Sequence, residues 1–141
     1  MQTVPVTGAV VVTTPQRVAL ADATKGLMMF KQAQINVPIL GIVENMAYFT
    51  PEELPDNKYY IFGKDGGKAL AEKFETTLLG EIPIVQSIRE AGDEGRPIAS
   101  YTDTPMGMAF RDTAENLARQ VAIRNANLNK TQATEVRNIE V

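Results

Sequence analysis

The sequence predicts a three-layer α/β unit built on a mostly parallel sheet. Two apolar runs without polar alternation, Ala9-Val10-Val11-Val12-Thr13 and Ile39-Leu40-Gly41-Ile42-Val43, fit strands covered on both faces, as parallel strands are. Helical stretches lie between the strand-like runs, and such alternation implies right-handed crossovers in one sheet. The length of 141 residues suits one compact domain.

The first run opens the order of elements. Residues 16–34 follow with no proline and one glycine, Gly26, and Val18, Ala21, Leu27 and Met28 are expected to share a broad apolar face. The second strand run comes next, then a long loop. Residues 64–74 form the next helix, where Leu70 and Phe74 lie four apart and meet on one side. Leu78-Leu79-Gly80-Glu81-Ile82 is a third, more weakly marked strand, followed by a short helix. The last helix opens at Thr104, a capping residue, with Pro105 at the first helical position, where no amide donor is needed. Met106, Phe110, Ala114, Leu117 and Val121 then recur at helical spacing. Residues 1–124 form the domain, and 125–141 read as a polar tail with little patterning. Three strands make a small sheet with bare edges, so the chain reads as part of a larger doubly wound sheet or as a unit completed in an oligomer.

Composition excludes several classes of function. The formal charge of −3 lacks the basic excess that phosphate neutralisation requires, so no nucleic-acid partner is expected. Cysteine and histidine are absent, which removes disulfides, thiolate or imidazole metal sites and histidine acid–base chemistry. No apolar run approaches the roughly 18 residues of a membrane span, and no signal peptide is visible. A cytoplasmic domain without membrane attachment is expected.

Four segments are candidates for chemistry. Phe62-Gly63-Lys64-Asp65-Gly66-Gly67-Lys68-Ala69 approaches a phosphate-binding loop, but Phe62 stands in place of the first glycine and Ala69 in place of the Mg²⁺-binding hydroxyl. It reads as a glycine-rich turn into a helix, with anion binding at the helix N-terminus as the other option. Val43-Glu44-Asn45-Met46 lies at the C-terminal end of the second strand, where open α/β sheets bind ligands. The Asn45 amide offers a donor and an acceptor to a purine edge, although asparagine is also an ordinary turn or cap residue. Gly80-Glu81-Ile82-Pro83 ends the third strand on the same edge, and carbonyls at Pro83 and its neighbours can accept from an adenine amino group. Arg89, a little further on, either stacks on a base or pairs with Glu90 or Asp93 on a solvated helix. Finally, residues 48–62 concentrate five aromatics and two prolines, which suits a partner surface or a self-packed loop. Glu52, Glu53 and Asp56 in it lack EF-hand spacing.

Thr13-Thr14-Pro15-Gln16, Gly41-Ile42-Val43-Glu44-Asn45-Met46, Ile61-Phe62-Gly63, Leu79-Gly80-Glu81-Ile82-Pro83 and Ile88-Arg89-Glu90-Ala91-Gly92-Asp93-Glu94-Gly95 occur in this order. Over residues 2–117 the chain resembles the C-terminal half of the Mrp/ApbC ATPases, relatives of MinD and ParA in the deviant Walker group. The resemblance implies a SIMIBI-type P-loop NTPase fold and an ATP- and Mg²⁺-dependent hydrolase that carries or assembles iron–sulfur clusters in the cytoplasm. It also implies a homodimer, with iron–sulfur assembly or apo-client proteins as partners. By the same resemblance Asn45, followed by Met46, matches the residue that reads adenine, and Pro83 with its neighbour Ile84 matches the strand end that borders the base; Arg89 joins these candidates as a residue able to stack on the base. The family's phosphate loop and Mg²⁺-handling segment have no counterpart here, so the chain alone is expected neither to bind ATP tightly nor to hydrolyse it. Many members place a Cys-x-x-Cys pair between the Glu-Asn-Met and Ile-Phe-Gly segments. Here Pro51 and Leu54 fall near those places, and a chain without thiols holds no cluster by the usual ligands. Two other functions remain open: a non-catalytic dimerisation or docking module, and a ParA/MinD-like spatial regulator.

Overall fold

The structure, a computed structural model, describes residues 5–51, 53–101 and 103–129. Its elements are β1 (Ala9–Thr13), α1 (Arg17–Phe30), β2 (Ile39–Phe49), α2 (Gly66–Lys73), β3 (Leu78–Ile84), α3 (Gln86–Asp93), a short 3₁₀ turn (Ile98–Ser100) and α4 (Pro105–Asn127). The strands form one parallel sheet in the order β1-β2-β3, the α/β architecture that the uninterrupted apolar runs and intervening helices predict. β2 is central, and Glu44 pairs with Thr13 on one side and Glu81 on the other.

Each face of the sheet carries its own core. On one face, Leu27 of α1, Leu70 and Ala71 of α2 and Phe74 just beyond it enclose Ile42. On the other, Val43, Leu79 and Ile82 are covered by Ile88 of α3 and by Ala109, Phe110 and Leu117 of α4. The alternation of Ile42 and Val43 between the two cores is the period-two pattern of a strand buried on both sides. α4 begins as its sequence dictates: Thr104 Oγ1 accepts from Gly107 N at 3.0 Å, with Pro105 at the first helical position.

Several expectations need correction. The buried stripe of α1 is Leu20, Ala23 and Leu27, whereas Val18 and Met28 are exposed. At 3.6 residues per turn Val18 lies roughly 160° around the helix from Leu20, so the two cannot share the core side. α1 ends at Phe30, short of residue 34. On α4, Ala114 is exposed, and Ala109 packs inward beside Phe110. β2 runs beyond Val43 to Phe49; a break in its register with β3 between Asn45 and Phe49 accommodates the extra length. α4 continues through Asn127, past the expected boundary at 124, while the rest of the predicted tail, 130–141, lies outside the described residues.

Candidate functional site

The C-terminal edge of the sheet brings together four of the five residues expected to face a base. Asn45 is half-buried and lies at the rim, where with Val12, Thr13, Thr14, Ala19, Asp22 and Ala23 it lines an open groove of about 370 Å³. Its Oδ1 accepts from Met46 N at 3.0 Å. That bond occupies one lone pair of the oxygen and neither hydrogen of Nδ2, so the amide keeps both a donor and an acceptor. Met46 is exposed and holds φ at +55°, a left-handed conformation uncommon outside glycine and asparagine. It turns the chain at the point where the register breaks. Asn45 pairs with Ile82 on β3, so Pro83 and Ile84 follow immediately along the neighbouring strand, Pro83 buried and Ile84 half-buried. Arg89 stands apart. Its guanidinium pairs with Asp93 at 2.8 Å and Glu90 at 3.5 Å on its own exposed helix, the alternative that charge spacing leaves open.

The glycine-rich segment forms a turn into α2. Asp65, with φ +58°, makes the turn into α2, and no side chain of that turn caps the helix. The cap comes from the neighbouring strand: Glu44 Oε2 accepts from Gly67 N. Glu44 is 1% exposed, and its Oε1 has no hydrogen-bond partner among the described residues. Burial pushes its carboxyl above the usual value; the Gly67 amide pulls it down, and the like charges of Glu81 and Asp65 push it up again. Glycine is required at 67, because a Cβ there would lie 2.9 Å from Glu44 Cβ and Oε2. Gly66 similarly sits against Pro15, with a Cβ position 3.0 Å from Pro15 Cα. Three segments distant in sequence, around Pro15, Glu44 and Gly66-Gly67, therefore meet at one point. The Glu44 carboxyl thus already occupies an amide at the start of α2 that an anion bound there would use. Glu44 is the residue missed by pattern analysis. The available signal was a carboxylate closing a run that is otherwise wholly apolar.

The aromatic segment is self-packed at its base and exposed beyond it. Tyr48 and Phe49 belong to β2, and paired 2.8 Å backbone bonds between Phe49 and Tyr59 close the loop at its base. Lys58 Nζ stands 4.0 Å over the Tyr48 ring. Beyond this self-packed base, Leu54, Tyr59, Tyr60 and Ile61 are exposed. Glu52 lies outside the described residues, and among those described no cluster of three or more histidine, cysteine or acidic residues forms a metal site.

Comparison with known proteins places the geometry in a family. The description "ParA: NUBPL iron-transfer P-loop NTPase" matches residues 1–118. An iron–sulfur cluster carrier protein of Synechocystis is 46% identical over 123 residues, which are 86% of this chain and 34% of that protein. The iron–sulfur cluster transfer protein NUBPL of Dictyostelium discoideum is 44% identical over 130 residues, 92% of this chain and 39% of that one. The chain thus spans little more than a third of the length of these relatives. Among solved structures, the cell division ATPase MinD of Pyrococcus furiosus aligns with a TM-score of 0.58 at 27% identity, covering 79% of this chain and 42% of that one. A nucleotide-binding protein of Archaeoglobus fulgidus in complex with ADP aligns with a TM-score of 0.55 at 38% identity, over 64% and 36% of the two chains. No described helix is long and apolar enough to cross a membrane. The Thr-Pro-Gln, Glu-Asn-Met and glycine-rich segments that meet around Glu44 are thus parts of a P-loop NTPase fold, and the chain belongs to the ParA/NUBPL family of iron-transfer P-loop NTPases.

Proposed function

We propose that this chain supplies the adenine side of the nucleotide site in an iron–sulfur carrier of the Mrp/NUBPL type, while the phosphate grip and Mg²⁺ come from residues outside it. The observation that carries this reading is the position of Asn45. Asn45 lies in β2 one residue past the level at which β1 ends, and its amide lines an open groove on the side where open α/β sheets take their ligands, with donor and acceptor capacity left over. Asn45 hydrogen-bonds the purine edge, Met46 turns the strand away to make room, and Pro83 and Ile84 form the adjoining wall. Arg89 joins the site only by exchanging its ion pairs for the base. The ADP bound to the Archaeoglobus relative supports a nucleotide as ligand. With no cysteine in the chain, cluster ligation falls to other residues of a complete carrier.

The test is amide chemical-shift mapping of this chain with adenosine and, separately, with inorganic phosphate. Adenosine is expected to shift the amides of residues 45, 46, 82 and 84, and Asn45→Ala to weaken the effect by about fivefold, the equivalent of one hydrogen bond of about 1 kcal/mol. Mg²⁺-ATP is expected to remain unhydrolysed. Shifts centred on residues 63–68, or an equal response to phosphate alone, would overturn the assignment. A second reading, a docking module, is favoured by the exposed Tyr59, Tyr60 and Ile61. A stable nucleotide-free dimer in light scattering, lost on Tyr60→Ser with Ile61→Ser, would support it.

A further inference from the structure

Glu44 is a buried acid with an incomplete set of partners. Oε2 caps α2 through Gly67 N, Oε1 has none among the described residues, and the residue is 1% exposed. An ionised carboxylate shares its charge over both oxygens. Closing the contact around an ionised Glu44 therefore buries half of that charge with no donor to receive it. A protonated Glu44 closes at a smaller penalty. The groups bearing on it from the packed elements sharpen the contrast: Asp65 at the entrance to α2 and Glu81 on β3 are acidic, and its β1 partner Thr13 is uncharged. The single compensating group is the Gly67 amide.

We infer that Glu44 is a protonation-linked latch that ties the start of α2 to the middle of β2: protonated, it holds the Asp65–Gly67 turn closed; ionised, it lets that turn open. Opening hydrates the carboxylate and frees the Gly66–Pro15 contact at the same time, because both glycines lie in one turn. The latch is one residue before Asn45, so it connects the glycine-rich turn to the stretch of β2 that carries the amide. It acts whether or not a nucleotide binds, and its test involves none.

The latch is tested by NMR-detected hydrogen exchange on the full chain from about pH 5 to about pH 8, expressed as protection factors relative to intrinsic rates. Protection at Gly67 N is expected to fall by up to about tenfold per pH unit above the ordinary carboxylate range, the dependence of a single linked proton, and then to level off. Ile42 N, bonded to Thr77 O at 2.9 Å within the sheet, reports global unfolding and is expected to show a smaller slope. Glu44→Gln removes the charge while keeping an acceptor, and is expected to abolish the pH dependence at Gly67. Asp65→Asn and Glu81→Gln are each expected to reduce the total loss of protection. A flat wild-type profile, an unchanged slope in Glu44→Gln, or equal slopes at Gly67 and Ile42 would overturn the latch. If Glu44→Gln does not fold, an unaltered profile in both Asp65→Asn and Glu81→Gln overturns it.

Discussion

Left-handed backbone at non-glycine residues is the most local feature that distinguishes this chain, and two examples show different uses of it. Glu75 holds φ at +55° just beyond α2, where Thr76 N bonds back to Ala71 O at 3.0 Å. This is the helix-ending motif that glycine normally serves. The left-handed conformation carries a penalty of roughly 1–2 kcal/mol for a side-chain-bearing residue, partly offset by the greater freedom of glycine when unfolded. Glu75→Gly is therefore expected to stabilise the fold by about 0.5–1 kcal/mol in urea denaturation; an unchanged or lowered midpoint would show that the Glu75 side chain makes a compensating contact. Met46 adopts nearly the same conformation at the rim of the sheet, supported by the Asn45 side chain. There the conformation re-aims a strand instead of ending a helix, and it coincides with the residues expected to meet a base. Glu44, directly before them, contributes a titration whose sign is fixed by its raised value. The folded state holds its proton more tightly than the unfolded state, so its contribution to stability is complete below the ordinary carboxylate value of 4.5 and is lost as pH rises through the raised one. Glu44→Gln is expected to flatten the wild-type decline of urea stability across that window, and a decline that persists would assign it to another group.

Among the elements, the ends were easier to read than the faces. Thr104 and Pro105 announce the start of α4 by chemistry alone, and the structure contains that cap. Thr104→Ala is expected to destabilise by about 1 kcal/mol, seen as a lower thermal midpoint, with Thr104→Ser keeping most of the wild-type stability; equal losses in both would mean that the methyl group matters more than the cap. The strands were legible because β1 and the first half of β2 are continuous apolar runs, which only a doubly covered sheet can bury. The face of α1 was not legible in the same way. Val18 and Met28 are as apolar as Leu20 and Leu27, and only the direction in which the crossover meets the sheet decides which pair is buried. The site divides similarly. Asn45 and Pro83 could be placed at one edge because strand order and strand end follow from the pattern. The role of Glu44 depends on a 23-residue separation between a strand and a helix start, which no local spacing encodes. The outcome for Arg89 turned on partners four and one residues away, both visible in the sequence, and the structure forms those pairs.

At the scale of the molecule, one three-stranded sheet serves two cores, and this shapes how the fold can fail. Leu27 and Leu79 are both fully buried, on opposite faces, yet their strand contacts lie back to back: Leu27 packs with Ile42, and Leu79 packs with Val43, the next residue of β2. Loss of either core therefore removes one side of the same strand. The apolar surface left uncovered points the same way. Among the described residues, large apolar side chains such as Val12, 61% exposed on the edge strand, and Val18, 72% exposed on α1, add nothing to either core, so the two small cores carry the fold together. Leu27→Ala and Leu79→Ala are each expected to lower stability by about 2–5 kcal/mol, a large share of the 5–15 kcal/mol typical of a domain. Because β2 is shared, each is expected to unfold the molecule in a single transition, with exchange in α1, α2 and α4 accelerating in parallel. If Leu27→Ala opened α1 and α2 while α4 amides kept their protection, the two faces would be separate cooperative units, and the sheet would be a scaffold between them rather than their common core.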